Sequence, residues 1–294
     1  MKKYILILTG VLFIPLFSFS QHWEFGAMFG GSNYSGDLSQ DPITLKETNP
    51  AGGAFLRYNI NPFWTIKGNA YYGRISGDDA NASSDKHRLR DLSFRSDILD
   101  IGGNIEYNIM GFEAGNRMHR HNFSPYVFAG LSVFHFNPEA FYVPPGSSAT
   151  GSWIALQPLG TEAQGTTYNN SQDKYNLTQI SIPFGFGLKL NVFENYSVGL
   201  EVGWRKTFTD YLDDVSGLYP ALGVLKTQTG SIAAEQLANK AYYYGGNGGT
   251  IGNPAYLATA SNKLYRGDPT TDDWYIFAGI TISYTILPSE CFKF

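Results

Sequence analysis

The chain has 294 residues, of which 43% are hydrophobic and 16% aromatic, with 33 Gly, 20 Tyr and 21 Phe but 1 Cys and 4 Met. The length allows one or two ordinary domains, and the aromatic content favours a single β-rich domain. A formal net charge of −4 is too small to indicate nucleic acid or an anionic lipid surface as a partner.

The first 20 residues are expected to form a secretory signal peptide. Met1-Lys2-Lys3 is a basic start, Tyr4 to Phe19 is almost wholly apolar, and cleavage is expected after Ser20. The apolar core is shorter than the roughly 20 residues that a spanning helix needs. We therefore expect a mature domain over residues 21–287 and a C-terminal tail over residues 288–294.

Alternation of apolar with polar or small residues predicts four strands in the first half of the chain. The second and third meet across the short connection 61–63, which predicts a hairpin. In the fourth, Asp100 and Glu106 lie on the face opposite to the apolar one, so that face is expected to be polar. The four predicted strands are Trp23–Gly30, Ala54–Ile60, Trp64–Ile75 and Leu99–Ile109.

Four further strands are predicted in the second half. The fifth is apolar on both faces, which leaves open which face meets lipid. Pro183 lies on the inward side of the sixth and predicts a bulge, because proline cannot donate a ladder hydrogen bond. The long connection before the eighth strand is expected to hold a short helix around Ser231–Ala241. The four strands are Pro125–Phe136, Asn176–Val192, Tyr196–Arg205 and Asp273–Leu287.

The connections between these strands alternate in length. Long ones cover Ser32–Pro50, Gly77–Asp91, Asn137–Lys174 and Asp210–Asp272, and shorter ones cover Asn61–Phe63, Met110–Asn122 and Phe193–Asn195. Long extracellular loops and short periplasmic turns are typical of outer-membrane barrels, whereas a soluble β-sandwich gives no reason for this segregation. We predict an all-β fold: a transmembrane antiparallel up-and-down barrel of about eight strands in the cell outer membrane, with its C-terminus in the periplasm.

Charged residues of both signs are predicted to point into the lumen. The lumen of an eight-stranded barrel is just wide enough for its own side chains, so paired charges would fill it and a diffusive porin is not expected. Motifs of hydrolases, metalloproteases and phosphate-binding loops are lacking, so neither an enzyme nor a cofactor is predicted. The predicted lumen charges are Lys67, Asp100, Glu106, Lys189, Glu201 and Arg205.

Three groups of residues outside the strands are candidate sites. His119 and His121 could ligate a metal, but two histidines on a solvated turn are more often only that, so no metal is predicted. Asp210, Asp213 and Asp214 could bind calcium or serve a barrel enzyme; a solvated rim is the preferred interpretation. Cys291, alone in an exported chain, is either an idle thiol or a disulfide link to another protein.

Four segments of the chain resemble PorG, the outer-membrane barrel component of the type IX secretion system of Bacteroidota. They are Phe29–Asp37, Arg205–Ser216, Asp273–Gly279 and the cysteine-containing tail. The resemblance implies an accessory role in a machine that exports cargo proteins and in some species supports gliding.

The resemblance also implies partners. PorG-like barrels associate with a periplasmic ring of the PorK lipoprotein and PorN, and Cys291 would be a natural link to the lipoprotein. Arg117, His119, Arg120 and His121, in a basic inner connection, are a second candidate contact. The alternative is a stand-alone small barrel whose extracellular loops bind a surface or a ligand.

Overall fold

The chain folds into a closed antiparallel β-barrel. The computed structural model describes residues 22–39, 44–114, 121–144, 150–168, 173–245, 252 and 263–287. Consecutive long strands pair with one another, and β1 pairs with β9 to close the cylinder. The predicted eight-stranded up-and-down topology is confirmed. The strands are β1 (His22–Ser35), β2 (Asn49–Asn59), β3 (Trp64–Asp78), β4 (Ser93–Asn108), β5 (Phe123–Tyr142), the short β6 (Ser152–Ala155), β7 (Thr178–Asn191), β8 (Tyr196–Thr207) and β9 (Trp274–Thr285).

Alternation along each strand separates a packed interior from an apolar outer wall. β9 shows it well: Ile280 and Ile282 are exposed, while Thr281 and Ser283 are buried. The same pattern shows which face of the fifth predicted strand points outward. Its aromatic residues Tyr126, Phe128, Phe134 and Phe136 are buried inside, and its aliphatic residues Val127, Leu131 and Val133 face outward.

The outer wall carries a belt of exposed apolar side chains. Leu131 and Ile101, for example, are 65% and 57% exposed. A protein in water rarely exposes an apolar surface that runs around the whole molecule. Aromatic pairs mark the end of the belt near the tight turns, with Trp64 against Tyr107 at 4.9 Å between ring centroids and Tyr196 against Tyr284 at 5.1 Å. An apolar wall bounded by aromatic rings is the surface that a membrane-spanning barrel presents to lipid.

Two features of the strands differ from the sequence predictions. The prediction of a bulge at Pro183 is wrong. Ala129 lies opposite Phe184 and Ser132 opposite Ser181, so the register is the same on both sides of the proline. That register puts Gly130 opposite the proline, so the ring has space and only a ladder bond is lost. In addition, β5 continues to Tyr142 and pairs there with β6, where the sequence predicted a loop without strands.

The long connections lie at one end of the barrel, which we call the outer end, and fold over it. In the ranges that the structure describes they contain four short α-helices. These are α1 (Asp85–Arg90), α2 (Val224–Thr229), α3 (Ile232–Ala238) and α4 (Lys240–Tyr244). α3 and α4 occupy the predicted helical region, and the Ser231 hydroxyl caps α3 by accepting a hydrogen bond from the Ala234 N–H. Within the described ranges, no helix has the length and apolarity to cross a bilayer.

Candidate functional site

The inner half of the lumen holds a network of three carboxylates and three cations. Arg57 donates to Glu24 at 2.7 Å and to Glu106 at 3.1 Å, and Lys189 donates to Glu106 at 2.6 Å. Lys67 donates to both oxygens of Glu201, at 2.7 and 2.5 Å. Each cation has an acidic partner, which offsets the loss of hydration that buried charges suffer.

Above this network the middle of the lumen is filled by hydrogen-bonded polar groups and aromatic rings. The Asp100 carboxylate accepts from the Tyr275 hydroxyl at 2.7 Å, the Ser132 hydroxyl at 2.9 Å and the Asn69 amide at 3.1 Å. The Arg205 guanidinium lies over the Phe277 ring, 4.8 Å from its centroid. Asp100, Tyr275 and Arg205 are each at most 1% exposed.

The outer mouth is closed by residues 210–216, the seal segment. Its Leu212 and Val215 are 0% and 1% exposed and pack on the aromatic core of the barrel. The Tyr34 hydroxyl on β1 lies 2.6 Å from Asp213 Oδ2 and 3.0 Å from Asp273 Oδ1. These contacts tie the seal segment to the first and last strands of the barrel.

A second group of contacts fixes the other side of the seal segment. The Tyr175 hydroxyl donates to Asp214 at 2.7 Å, and Thr161 also donates to that carboxylate. Arg266 forms an ion pair with Glu162 at 3.2 Å and donates to the Asp214 carbonyl. Burial raises the pKa of Asp214 to about 6, although the Arg266 charge opposes the rise.

The acidic cluster of the seal segment is therefore not the solvated rim that the sequence suggested. Asp213 and Asp214 are 1% and 0% exposed, and only Asp210 is half-buried, with its pKa raised by burial to about 8. In the part of the chain that the structure describes, no group of three or more His, Cys, Asp or Glu side chains is arranged to hold a metal ion.

The inner mouth is covered by the connection after β4. Phe112 is 4% exposed and lies under Lys189, whose Nζ is 5.7 Å from the ring centroid. His121 Nδ1 contacts the Met110 carbonyl oxygen at 2.8 Å, and its backbone has a positive φ of 62°. The other predicted contact residues, Arg117, His119, Arg120 and Cys291, lie outside the described residues, as do the predicted signal peptide and the predicted tail.

All six predicted lumen charges lie inside the barrel, each at most 4% exposed. The structure joins Glu106, Lys189, Lys67 and Glu201 in one network and leaves Asp100 and Arg205 in the polar and aromatic layer above it. Sequence reasoning omitted Glu24 and Arg57, although both occupy inward positions of their strands and strand parity could have identified them. The contact of Tyr34 and Asp273 with Asp213 could not be predicted from strand parity, because Asp213 lies in an irregular segment.

Comparisons with known proteins add a family and a set of similar folds. The family described as a domain of unknown function, DUF6089, matches residues 2–152 and 159–238. No curated protein sequence matches the chain. Ail of Yersinia pestis, solved with the heparin analogue sucrose octasulfate, is 10% identical, with 91% of this chain and 100% of that chain covered and a TM-score of 0.40.

Two other solved outer-membrane proteins are similar at the same level. Neisserial surface protein A is 8% identical, with 89% of this chain and 96% of that chain covered and a TM-score of 0.39. OprG of Pseudomonas aeruginosa is 10% identical, with 91% and 96% covered and a TM-score of 0.37.

Proposed function

This chain belongs to the DUF6089 family, and we propose that it is a non-enzymatic outer-membrane barrel subunit of the type IX protein secretion machinery. In this role it contacts the periplasmic ring of the machine, a PorK-like lipoprotein with a PorN-like partner, rather than conducting cargo itself. The proposal combines the architecture of the barrel with the resemblance of its segments to PorG.

The observation that carries the proposal is the meeting of three resembling segments in one buried cluster. Tyr34 belongs to Phe29–Asp37, Asp213 to Arg205–Ser216, and Asp273 opens the last strand segment. The Tyr34 hydroxyl contacts both carboxyl groups. The residues that carry the resemblance thus build one specific structure at the outer mouth, which supports a shared architecture rather than a chance likeness of separate strands.

The filled lumen supports a structural role. Paired charges occupy its inner half, and an aromatic core with the seal segment closes its outer half. A barrel of this width that is packed with its own side chains has no channel for a folded or unfolded protein. Its contribution to secretion would then come from its surfaces.

The inner end of the barrel is the surface proposed to face the ring. β1 begins and β9 ends there, with Glu24 opposite Thr285, so the tail with Cys291 starts from this end. The connection that contains Arg117, His119, Arg120 and His121 also lies at this end, between β4 and β5. The described residues next to both candidate contacts therefore lie at the same end of the barrel, which supports a shared docking surface.

Crosslinking in native membranes tests the proposal. Membranes from cells that express the tagged chain are run on non-reducing gels, with and without prior crosslinking, and captured proteins are identified by mass spectrometry. A high-mass adduct that contains a periplasmic lipoprotein and disappears in Cys291→Ser is expected. Ser289→Ala, a neighbouring tail substitution, is the matched control and should retain the adduct.

Capture of the barrel alone, with and without crosslinker, would contradict the proposal. Loss of the disulfide adduct with retention of the crosslinked lipoprotein would move the contact from Cys291 to the basic connection. Arg117→Ser together with Arg120→Ser then tests that second contact.

One feature favours the alternative of a stand-alone barrel with ligand-binding loops. The outer connections enclose a cavity of about 160 Å³ between α1 and residues 265–268. It is lined in part by Arg90, Tyr219 and the 65%-exposed Tyr265. Normal secretion in a Tyr265→Ala strain that has lost binding to a surface would favour this second function.

A further inference from the structure

Two buried carboxyl groups meet at a single hydroxyl group in the outer mouth of the barrel. Asp213 and Asp273 are both 1% exposed, and Tyr34 is 0% exposed. The Tyr34 oxygen lies 2.6 Å from Asp213 Oδ2 and 3.0 Å from Asp273 Oδ1. The remaining oxygens are used: Asp213 Oδ1 accepts from the Val215 N–H at 2.8 Å, and Asp273 Oδ2 from the Leu212 N–H at 2.9 Å.

The number of hydrogens at this site is fixed by the chemistry of the three groups. A tyrosine hydroxyl donates one hydrogen and can also accept one, whereas an ionised carboxylate only accepts. With both carboxyl groups ionised, one of the two contacts would contain no hydrogen and would set a lone pair of the Tyr34 oxygen against a negative carboxylate oxygen. With one proton added, one carboxyl group donates to Tyr34 and Tyr34 donates to the other.

We propose that one proton shared by Asp213 and Asp273 through the Tyr34 hydroxyl holds the seal segment closed, and that release of this proton in alkaline surroundings opens it. The seal segment is the element that responds because both carboxyl groups bind its backbone. Leu212 and Val215, which cap the aromatic core, each donate their N–H to one of the pair.

The neighbouring charges favour retention of the proton. Asp37 beside β1 and Asp210 in the seal segment add negative charge to the pair. The Arg90 guanidinium on α1 is engaged by both oxygens of Asp79, at 2.7 Å, and Arg266 pairs with Glu162 and Asp214. Tyr175, before β7, binds Asp214. Burial first, and then the neighbouring carboxylates, raise the pKa of both Asp213 and Asp273 well above the ordinary value.

The sign of the pH dependence follows from the proton count. The closed seal keeps one proton, and an open, hydrated seal loses it above an ordinary aspartate pKa of about 4. Closing is then coupled to proton binding, so the closed state weakens as the pH rises. Between the pKa of an aspartate in the open seal and that of the pair in the closed seal, loss of the shared proton should increase the opening constant about tenfold per pH unit. Asp210 and Asp214 in the same segment, whose pKa values burial raises to about 8 and about 6, add their own increase below those values.

Hydrogen–deuterium exchange of the full chain in detergent micelles tests this coupling. Exchange of peptides that cover residues 208–217 is measured from pH 5 to pH 9 and divided by the intrinsic exchange rate at each pH. We expect the resulting opening constant to rise by about tenfold per pH unit or more, because the shared proton alone contributes about tenfold. Peptides from the centre of β3 are the internal control and should show no such rise.

Amide substitutions distinguish release of a shared proton from a general loss of stability at high pH. In Asp213→Asn or Asp273→Asn the amide oxygen can keep the backbone N–H, and the amide NH₂ can take the place of the protonated carboxyl group. Each single variant should therefore lose the tenfold rise that the shared proton causes and keep only the rise that Asp210 and Asp214 contribute. Asp268→Asn, an exposed aspartate in the same connection, should keep the wild-type slope.

The double variant Asp213→Asn/Asp273→Asn leaves the hydrogen of the Tyr34 hydroxyl without an acceptor and should open more than either single variant. A flat wild-type profile would overturn the proposal without recourse to any variant. Single variants that retain the wild-type slope would also overturn it, provided that the shift between heated and unheated samples on gels shows them to be folded.

Discussion

Lys67 and Glu201 show how a buried charge in this barrel depends on its partner. Both are at most 4% exposed, and Lys67 Nζ lies 2.5 Å from Glu201 Oε2. Glu201→Gln would remove the nearest partner of the ammonium group and leave it with the more distant Glu106, at 3.7 Å. We expect a loss of about 3–5 kcal/mol in the free energy of unfolding. Urea unfolding in lipid vesicles, followed by tryptophan fluorescence, measures this difference.

The double variant Lys67→Met/Glu201→Gln is the matched control for that measurement. It removes both charges and keeps the length of both side chains, so it should recover most of the stability lost in Glu201→Gln. A double variant that is as unstable as the single one would mean that packing of Glu201, and not an unpaired charge, determines the effect.

Strand parity explains which buried charges could be predicted from the sequence. Lys67, Glu106 and Glu201 alternate with apolar residues, so their inward position follows from a period of two. Glu24 and Arg57 obey the same rule and could have been added. Asp213 could not, because its burial depends on Tyr34, 179 positions away along the chain.

At the scale of the strand, the position of a residue across the bilayer should determine the effect of a charge. Ile280 and Ile286 are both about half exposed, at 50% and 52%, but Ile280 lies within β9 and Ile286 beyond its inner end. Ile280→Arg should cost about 2–4 kcal/mol, and Ile286→Arg about 0–1 kcal/mol. Equal values for both in the same vesicle unfolding experiment would contradict the placement of the belt.

Alternation identified the membrane-spanning strands but not the parts of the wall that project beyond them. All eight long strands were predicted, since lipid on one side and a filled lumen on the other enforce a period of two. At the outer end of β5 this constraint ends, and residues 137–142 show no clear alternation. The pairing of β5 with β6 there depends on tertiary contacts such as Phe141 against Trp153, at 5.5 Å between ring centroids.

For the whole molecule, the sequence contained the topology but not the closure of the outer mouth. The alternation of long and short connections was sufficient to predict an up-and-down barrel. The seal joins residues from the first strand, the longest connection and the last strand, with 239 positions between Tyr34 and Asp273. Contacts of such separation have no local pattern from which they could be predicted.

The filled lumen leads to an expectation for the whole barrel in a bilayer. The ion pairs of Arg57, Lys67 and Lys189 occupy the inner half, and Leu212 and Val215 cover the outer half. The purified chain in a planar lipid bilayer should therefore show no steady stepwise conductance in about 1 M KCl. At this salt concentration the Debye length is about 3 Å, so exposed charges are largely screened.

A variant with Arg57, Lys67, Glu106 and Glu201 all replaced by serine is the matched control for that measurement. It removes two positive and two negative charges, so the net charge of the lumen is unchanged while its inner half keeps only Glu24 and Lys189 of the six charged side chains. We expect this variant to conduct intermittently, because the middle layer and the outer seal then block the path without the full inner network. Steady conductance of the wild-type chain would contradict the structural role and would favour a channel, since a packed lumen admits no continuous column of water.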